Sequence, residues 1–276
     1  MLFRSILIFS FSLCFQFFTQ AQEIDTLVQV DSHKLHFKII KGTGTPILFE
    51  SGNGDNGNVW DALLADIHEA TGATLITYDR AGLGKSSLDS ARISFKQEVK
   101  DLGTALKGLG YDSELFIVAH SFGSFYASAF TRSADHAVKG AVFIDVATPC
   151  AFDVAYATKV KNAITPALWK VIKQYKKGLY YVLQDLPETA EYMTDQFMPG
   201  TVPLMVIAAG IREPNSQIGE TQVDMTEFTQ CLESLGNRPG NKFILVKEAE
   251  HKVWAQAPEL VKKQIIEHYQ KTVQER

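Results

Sequence analysis

The stretch Leu115-Phe-Ile-Val-Ala-His-Ser-Phe-Gly-Ser-Phe-Tyr-Ala127 limits what this chain can fold into more than any other. Leu115 to Ala119 is a short apolar run rich in branched and aromatic side chains, the pattern of a strand buried on both faces. It leads into His120-Ser121-Phe122-Gly123 and then into a helix-compatible Phe-Tyr-Ala-Ser-Ala-Phe series. Ser121 therefore stands where a buried strand turns sharply into a helix. The turn has a strained backbone with a helix packed close by, so it needs small neighbours, and Gly123 and Ser124 supply them. Oγ is pushed clear of the main chain at the positive end of a helix, the arrangement of a nucleophile elbow. The usual spelling is Gly-x-Ser-x-Gly; here Ala119 stands for the first glycine. A serine ahead of a helix also serves as an N-cap, so the remainder of the chain has to decide between the two roles.

At 276 residues the chain has room for one sizeable α/β domain or two small ones. Its composition, 46% hydrophobic and 21% charged, points away from disorder and from a membrane bundle. Net charge is −4 without a basic cluster, which argues against a nucleic-acid partner.

Residues 1–21 read as a secretory signal peptide. Arg4 precedes an apolar run from Ile6 to Phe18, and Thr19-Gln20-Ala21 offers small residues for cleavage before Gln22. The run is broken by serines and Gln16 and falls short of the roughly 20 residues that span a bilayer. Phe11-Ser12-Leu13 ahead of Cys14 lacks the small residue of a lipoprotein signal. The expectation is an exported protein, periplasmic or extracellular, without stable membrane insertion. Cleavage leaves Cys150 and Cys231, which either pair or stay as two buried thiols.

Along residues 22–276, Val28 to Ile40 alternates around Asp31-Ser32 as a hairpin, and Pro46 to Glu50 reads as a buried strand before a glycine-rich loop. Trp60 to Ala70 reads as a helix and Ala73 to Tyr78 as a strand. Gly84-Lys85-Ser86 invites a phosphate-loop reading, which fails because Asp79 stands where that motif needs glycine. Ser94 and Gln97 read as a capping box opening a helix with Phe95, Val99, Leu102, Leu106 and Leu109 on one side. Strands follow at Gly140–Asp145, Pro203–Ala208 and Lys242–Lys247, and Pro258 opens a terminal helix. Alternating strands and helices imply a mostly parallel sheet covered on both faces. Residues 150–202 break the rhythm and read as an inserted helical cap, or else as an ordinary helical layer.

His251 is singled out by position. His33, His36, His68, His136 and His268 fall in hairpin or helix surface contexts, and His120 is fixed beside Ser121 on a turn that points it away. His251 alone sits just past the carboxyl end of a parallel strand, on the sheet edge that carries Ser121 and where open α/β sheets place their sites. A serine needs such a base before it becomes a competent nucleophile.

Four segments in this order resemble the α/β-hydrolase fold family, of the serine esterase and lipase-like kind. They are Glu50-Ser-Gly-Asn-Gly54, Tyr78-Asp-Arg-Ala-Gly-Leu-Gly84, the Ser121 turn and Ala249-Glu250-His251. The resemblance implies that fold, with helices on both faces of a mostly parallel sheet and an inserted cap. It also implies a carboxylate behind His251, supplied either by Asp145 or by Glu213. Asp145 is favoured because a buried strand holds it rigidly, whereas Glu213 opens a loop of about thirty polar residues. By the same resemblance the backbone N–H groups of Asn53 and Phe122 form the oxyanion hole.

The implied activity is hydrolysis of an ester or related acyl bond through an acyl-enzyme on Ser121. An acyl transferase or lyase using the same residues, or a non-catalytic binding protein, remains as the alternative. Serine at the turn sets the chain apart from dehalogenase and epoxide-hydrolase relatives, which use aspartate there. No metal or organic cofactor is implied, since no HExxH, CxxC or dinucleotide fingerprint occurs. The expected partner is a small acyl substrate, and the oligomeric state stays open.

Overall fold

The computed structural model describes residues 22–133 and 137–274; the signal-peptide reading of residues 1–21 and the placement of His136 lie outside them. β1 (Glu23–Val30) and β2 (His33–Ile40) form an antiparallel hairpin about Asp31, whose φ is 47°. With β3 (Gly44–Glu50), β4 (Ala73–Asp79), β5 (Glu114–His120), β6 (Ala137–Ile144), β7 (Leu204–Ala209) and β8 (Lys242–Val246) they make one sheet in the order β1-β2-β4-β3-β5-β6-β7-β8. β2 runs antiparallel to β4, and every pair from β4 to β8 is parallel.

The apolar run of β5 is explained by its position near the middle of this sheet. Leu115, Ile117 and Ala119 enter one core while Phe116 and Val118 enter the other, because successive side chains leave a strand on opposite faces. Burying one such leucine or isoleucine contributes about 1.5–3 kcal/mol of transfer free energy. α1 (Asp61–Thr71) and α9 (Pro258–Tyr269) cover one face through Leu63, Ile67, Val261 and Ile265. α2 (Phe95–Gly108), α3 (Gly123–Arg132) and α8 (Gln222–Gly236) cover the other through Leu102, Phe125 and Leu232.

Between β6 and β7 the chain forms α4 (Val154–Ala163), α5 (Pro166–Tyr175), α6 (Lys177–Gln184) and α7 (Leu186–Gln196). Among the described residues no helix is long and apolar enough to cross a membrane. Cys150, just before this insert, is bonded to Cys231 in α8, with Cα atoms 5.8 Å apart. The open question of pairing is thereby answered in favour of the disulfide.

Three sequence expectations are corrected. Only half of the capping box at Ser94 is made: Ser94 Oγ accepts from Gln97 N, but the Gln97 side chain donates to Asp101 one turn onward. The polar loop expected after Glu213 holds α8, opened by a complete capping box between Thr221 and Asp224. Its stripe of Met225, Phe228, Cys231, Leu232 and Leu235 was legible at helical spacing. Finally, His33, His36 and His268 are buried rather than on the surface. Each aromatic ring has a polar neighbour to reach: Asp101, Asp79 and the Pro203 carbonyl, respectively.

Candidate active site

The turn after β5 puts Ser121 at φ 53°, in the left-handed region that side chains disfavour. Among the described residues three non-glycines adopt positive φ: the hairpin corner Asp31, Ser121 and Asp145. Two of the three strained positions thus belong to the sequence-predicted site, where strain is held by its surroundings. Those surroundings are tight. A Cβ on Gly123 would lie 2.6 Å from Ser51 O and 2.7 Å from Glu50 O, so only glycine lets α3 approach the end of β3. Ser124 is fully buried and donates from Oγ to Ala147 O at 2.6 Å, tying the turn to the segment after β6.

Ser121, His251 and Asp145 come together from three strand ends. His251 Nε2 lies 3.0 Å from Ser121 Oγ, and its Nδ1 lies 2.7 Å from Asp145 Oδ2. The Asp145 side chain is inaccessible to solvent while that of His251 is 55% exposed, so the base reaches the surface and its carboxylate does not. The other oxygen, Oδ1, accepts from Ala209 N at 2.9 Å and from the Arg212 guanidinium. Three hydrogen bonds, two on Oδ1 and one on Oδ2, thus hold the acid in place, which fixes the imidazole it orients.

Glu213 is exposed and lines the same cavity, but no hydrogen bond joins it to His251. The structure brings Asp145 to the histidine because β7 ends against it: Ala209 bonds its carboxylate and Arg212 follows at once. Arg212 was not singled out in the sequence, and an arginine beside a candidate acid was the available signal.

Gly52 lies against the nucleophile, since a Cβ there would meet Ser121 Cβ at 3.2 Å and His120 Nδ1 at 2.8 Å. This places the Asn53 peptide beside Ser121, and both Asn53 and Phe122 line the cavity. Among the described residues no backbone carbonyl accepts from the Asn53 or Phe122 N–H. The loop is held from below by Arg80, which donates to Ser51 O at 2.6 Å, to Gly52 O at 2.5 Å and to Glu50 Oε1 at 2.5 Å. Burial pushes the Glu50 carboxyl up, against the pull of the Arg80 charge, and Tyr78 donates to its second oxygen. Glu50 and Arg80 were quoted only as parts of motifs; their tertiary role needed the pairing of β3 with β4.

His120, next to Ser121 on the chain, braces the histidine opposite it. Its ring lies against that of His251, tilted by 47° with centroids 4.5 Å apart, and its Nε2 lies 3.0 Å from His251 O. Burial, followed by the neighbouring His251, holds its pKa well below the usual histidine value, so a neutral ring donates that bond. His251 is thus anchored through its backbone as well as through Asp145.

Above the three residues lies a cavity of about 550 Å³. Its walls come from the segment after β6, from α4 and α6, and from α8: Phe152, Tyr156, Val160, Leu183, Met225 and Phe228. Tyr156 donates to Glu220, so the insert and the segment after β7 close on each other around the cavity. Among the described residues no group of histidine, cysteine, aspartate and glutamate is arranged to hold a metal ion.

Comparison with known proteins bears on the fold. Residues 45–177 match the alpha/beta hydrolase fold family. The uncharacterized protein YqjL of Bacillus subtilis (strain 168) is 27% identical over 237 residues, covering 84% of this chain and 87% of that one. A thermophilic esterase from Thermogutta terrifontis superposes with a TM-score of 0.58 at 18% identity, over 92% of this chain and 100% of the esterase. The haloalkane dehalogenase DatA from Agrobacterium tumefaciens superposes with a TM-score of 0.64 at 12% identity, over 91% of this chain and 97% of DatA. At these identities the likeness concerns the fold alone.

Proposed function

We propose that this chain, which has the α/β-hydrolase fold, is an exported serine hydrolase that cleaves an ester or related acyl bond. Fold neighbours include an esterase and a dehalogenase, so the chemistry rests on the residues of this chain. The observation that carries the reading is the unbroken chain Ser121 Oγ to His251 to Asp145, at 3.0 and 2.7 Å, opening on an apolar cavity.

In the proposed reaction Oγ attacks the acyl carbon while His251 Nε2 takes its proton. Asp145 keeps the second ring nitrogen as a donor and balances the imidazolium. The tetrahedral oxygen is received by the N–H groups of Asn53 and Phe122, aimed at the charge that develops there. The intermediate collapses with loss of the alcohol, which takes the proton from His251. Water then repeats the sequence on the acyl-enzyme and frees the acid. The Cys150–Cys231 bond supports export, because disulfides persist in oxidising compartments.

The test is labelling of purified residues 22–276 with a fluorophosphonate probe. Label on wild type that is lost in Ser121→Ala and in His251→Ala supports the reading. Folded wild-type protein that takes no label counts against it.

A further inference from the structure

The walls of the cavity are apolar, but its charges are one-sided. Asp145, Glu213, Glu220 and Glu250 line it, against the single guanidinium of Arg212. Arg212 is spent on Asp145, and Glu220 accepts from Tyr156 and from Asn215 N. Glu213 and Glu250 are exposed and enter no ion pair among the described residues. Lys252 is paired with Asp55 at 3.0 Å and Lys159 with Asp224 at 2.8 Å, and among the described residues no lysine lines the cavity. Both free carboxylates are also next in sequence to residues that touch the buried acid, Glu213 to Arg212 and Glu250 to His251. They line the same cavity as the histidine that must protonate the leaving group, while Val160, Leu183 and Met225 form an uncharged wall.

We propose that the site selects an ester with an apolar acyl chain and a positively charged alcohol portion, an ammonium-bearing leaving group, and turns away anionic esters. The inference rests on the serine-hydrolase reading above and names its substrate class. Two uncompensated carboxylates beside a low-dielectric wall attract a cation and repel an anion over several ångströms. Lys159 and Arg212 already face the Tyr156 and Phe228 rings at 6.0 Å, and the Phe152 ring, 5.0 Å from that of Tyr156, adds attraction for an ammonium group that a carboxylate would not receive.

The experiment compares kcat/KM for three esters of one medium-length fatty acid. Their alcohols are a neutral branched alcohol, its trimethylammonium isostere and a carboxylate-bearing alcohol of similar length. The expected order is cationic, neutral, anionic, with steps of about tenfold that shrink as salt is added. In the double variant Glu213→Gln, Glu250→Gln the cationic-to-neutral ratio falls towards one. A flat or inverted order in enzyme that takes the fluorophosphonate label overturns the substrate class while leaving the hydrolase reading intact. A ratio that survives the double variant overturns the assignment to these two carboxylates. Failure of wild type to take the label overturns the underlying reading, and the proposal with it.

Discussion

Two histidines in this protein are held almost identically, and they make a controlled comparison. His36 Nδ1 lies 2.9 Å from Asp79 and its Nε2 2.8 Å from Asp25; His251 Nδ1 lies 2.7 Å from Asp145 and its Nε2 3.0 Å from Ser121. Both rings are oriented by a buried aspartate at a strand end. They differ in the third partner and in exposure. His36 is 3% exposed and faces a carboxylate acceptor on each side, so neither partner offers it a proton to abstract. His251 is 55% exposed and faces a hydroxyl. A buried Asp–His pair is therefore not by itself a mark of catalysis. What distinguishes the second pair is a donor on its far side, a strained backbone beneath that donor, and a cavity above it.

The comparison can be broken by exchange of consequences. His251→Ala is expected to lower kcat/KM for an ester by about 10⁴-fold or more while leaving the melting temperature within a few degrees. His36→Ala should do the reverse, keeping activity within a few fold and costing about 1–3 kcal/mol of stability in denaturant titration. Equal loss of activity in both variants would dissolve the distinction. At the next level down, Asp145→Asn should cost about 10³–10⁴-fold in kcat, because the imidazole loses its fixed tautomer. Its counterpart Asp79→Asn should spare the chemistry. Asp79 also accepts from Gly57 N and Lys85 N, at 2.9 and 2.8 Å, and so acts on the fold.

Smaller effects sharpen the picture away from the two histidines. Replacing Cys150 and Cys231 with serine should reduce stability by about 2–4 kcal/mol, since the bond closes a long loop. Calorimetry of the paired variant against wild type reads this directly.

The smallest expected effect is a pH slope. Burial raises the Glu98 carboxyl, hydrogen-bonded to Tyr126, to about 7. Between its ordinary value of 4.5 and about 7 the folded chain holds a proton that the unfolded chain has released. This stabilising contribution is complete at lower pH and is lost as pH rises through about 7. His120, whose pKa is depressed, acts in the opposite sense below 6.5. The quantity to measure is thus the stability difference between wild type and Glu98→Gln. It should shift in favour of the variant from pH 4.5 to 7.5 by no more than a few kcal/mol.

How much of the site could be read beforehand follows from how local each feature is. Ser121 was legible because a buried strand, a small-residue turn and a helix follow one another within a dozen residues. His251 and Asp145 were legible as residues just past apolar strands. The choice of Asp145 over Glu213 as the partner of His251 was favoured but left open, and the contact at 2.7 Å belongs to Asp145. Nothing local announced that His120 would brace His251, that Arg212 would close the far side of Asp145, or that Arg80 would hold the Gly52 loop. The segment that forms α8 carries its apolar residues at helical spacing among many polar ones, so its composition resembles a loop while its period is that of a helix. The burial of His33 and His36 was missed for a related reason. A hairpin at a sheet edge looks exposed until a helix such as α2 packs across it.

By itself the sequence determined the alternation of strands and helices, the sharp turn at Ser121 and the strand ends that carry His251 and Asp145. These depend on side-chain period and on glycine at close approaches, which act within one element or between chain neighbours. Tertiary structure alone decided which carboxylate meets the histidine, which histidines are enclosed, and that Cys150 and Cys231 pair across 81 residues. Those outcomes depend on the order in which strands are laid into the sheet. That order is set by the burial of both sheet faces together and leaves no mark on any one segment.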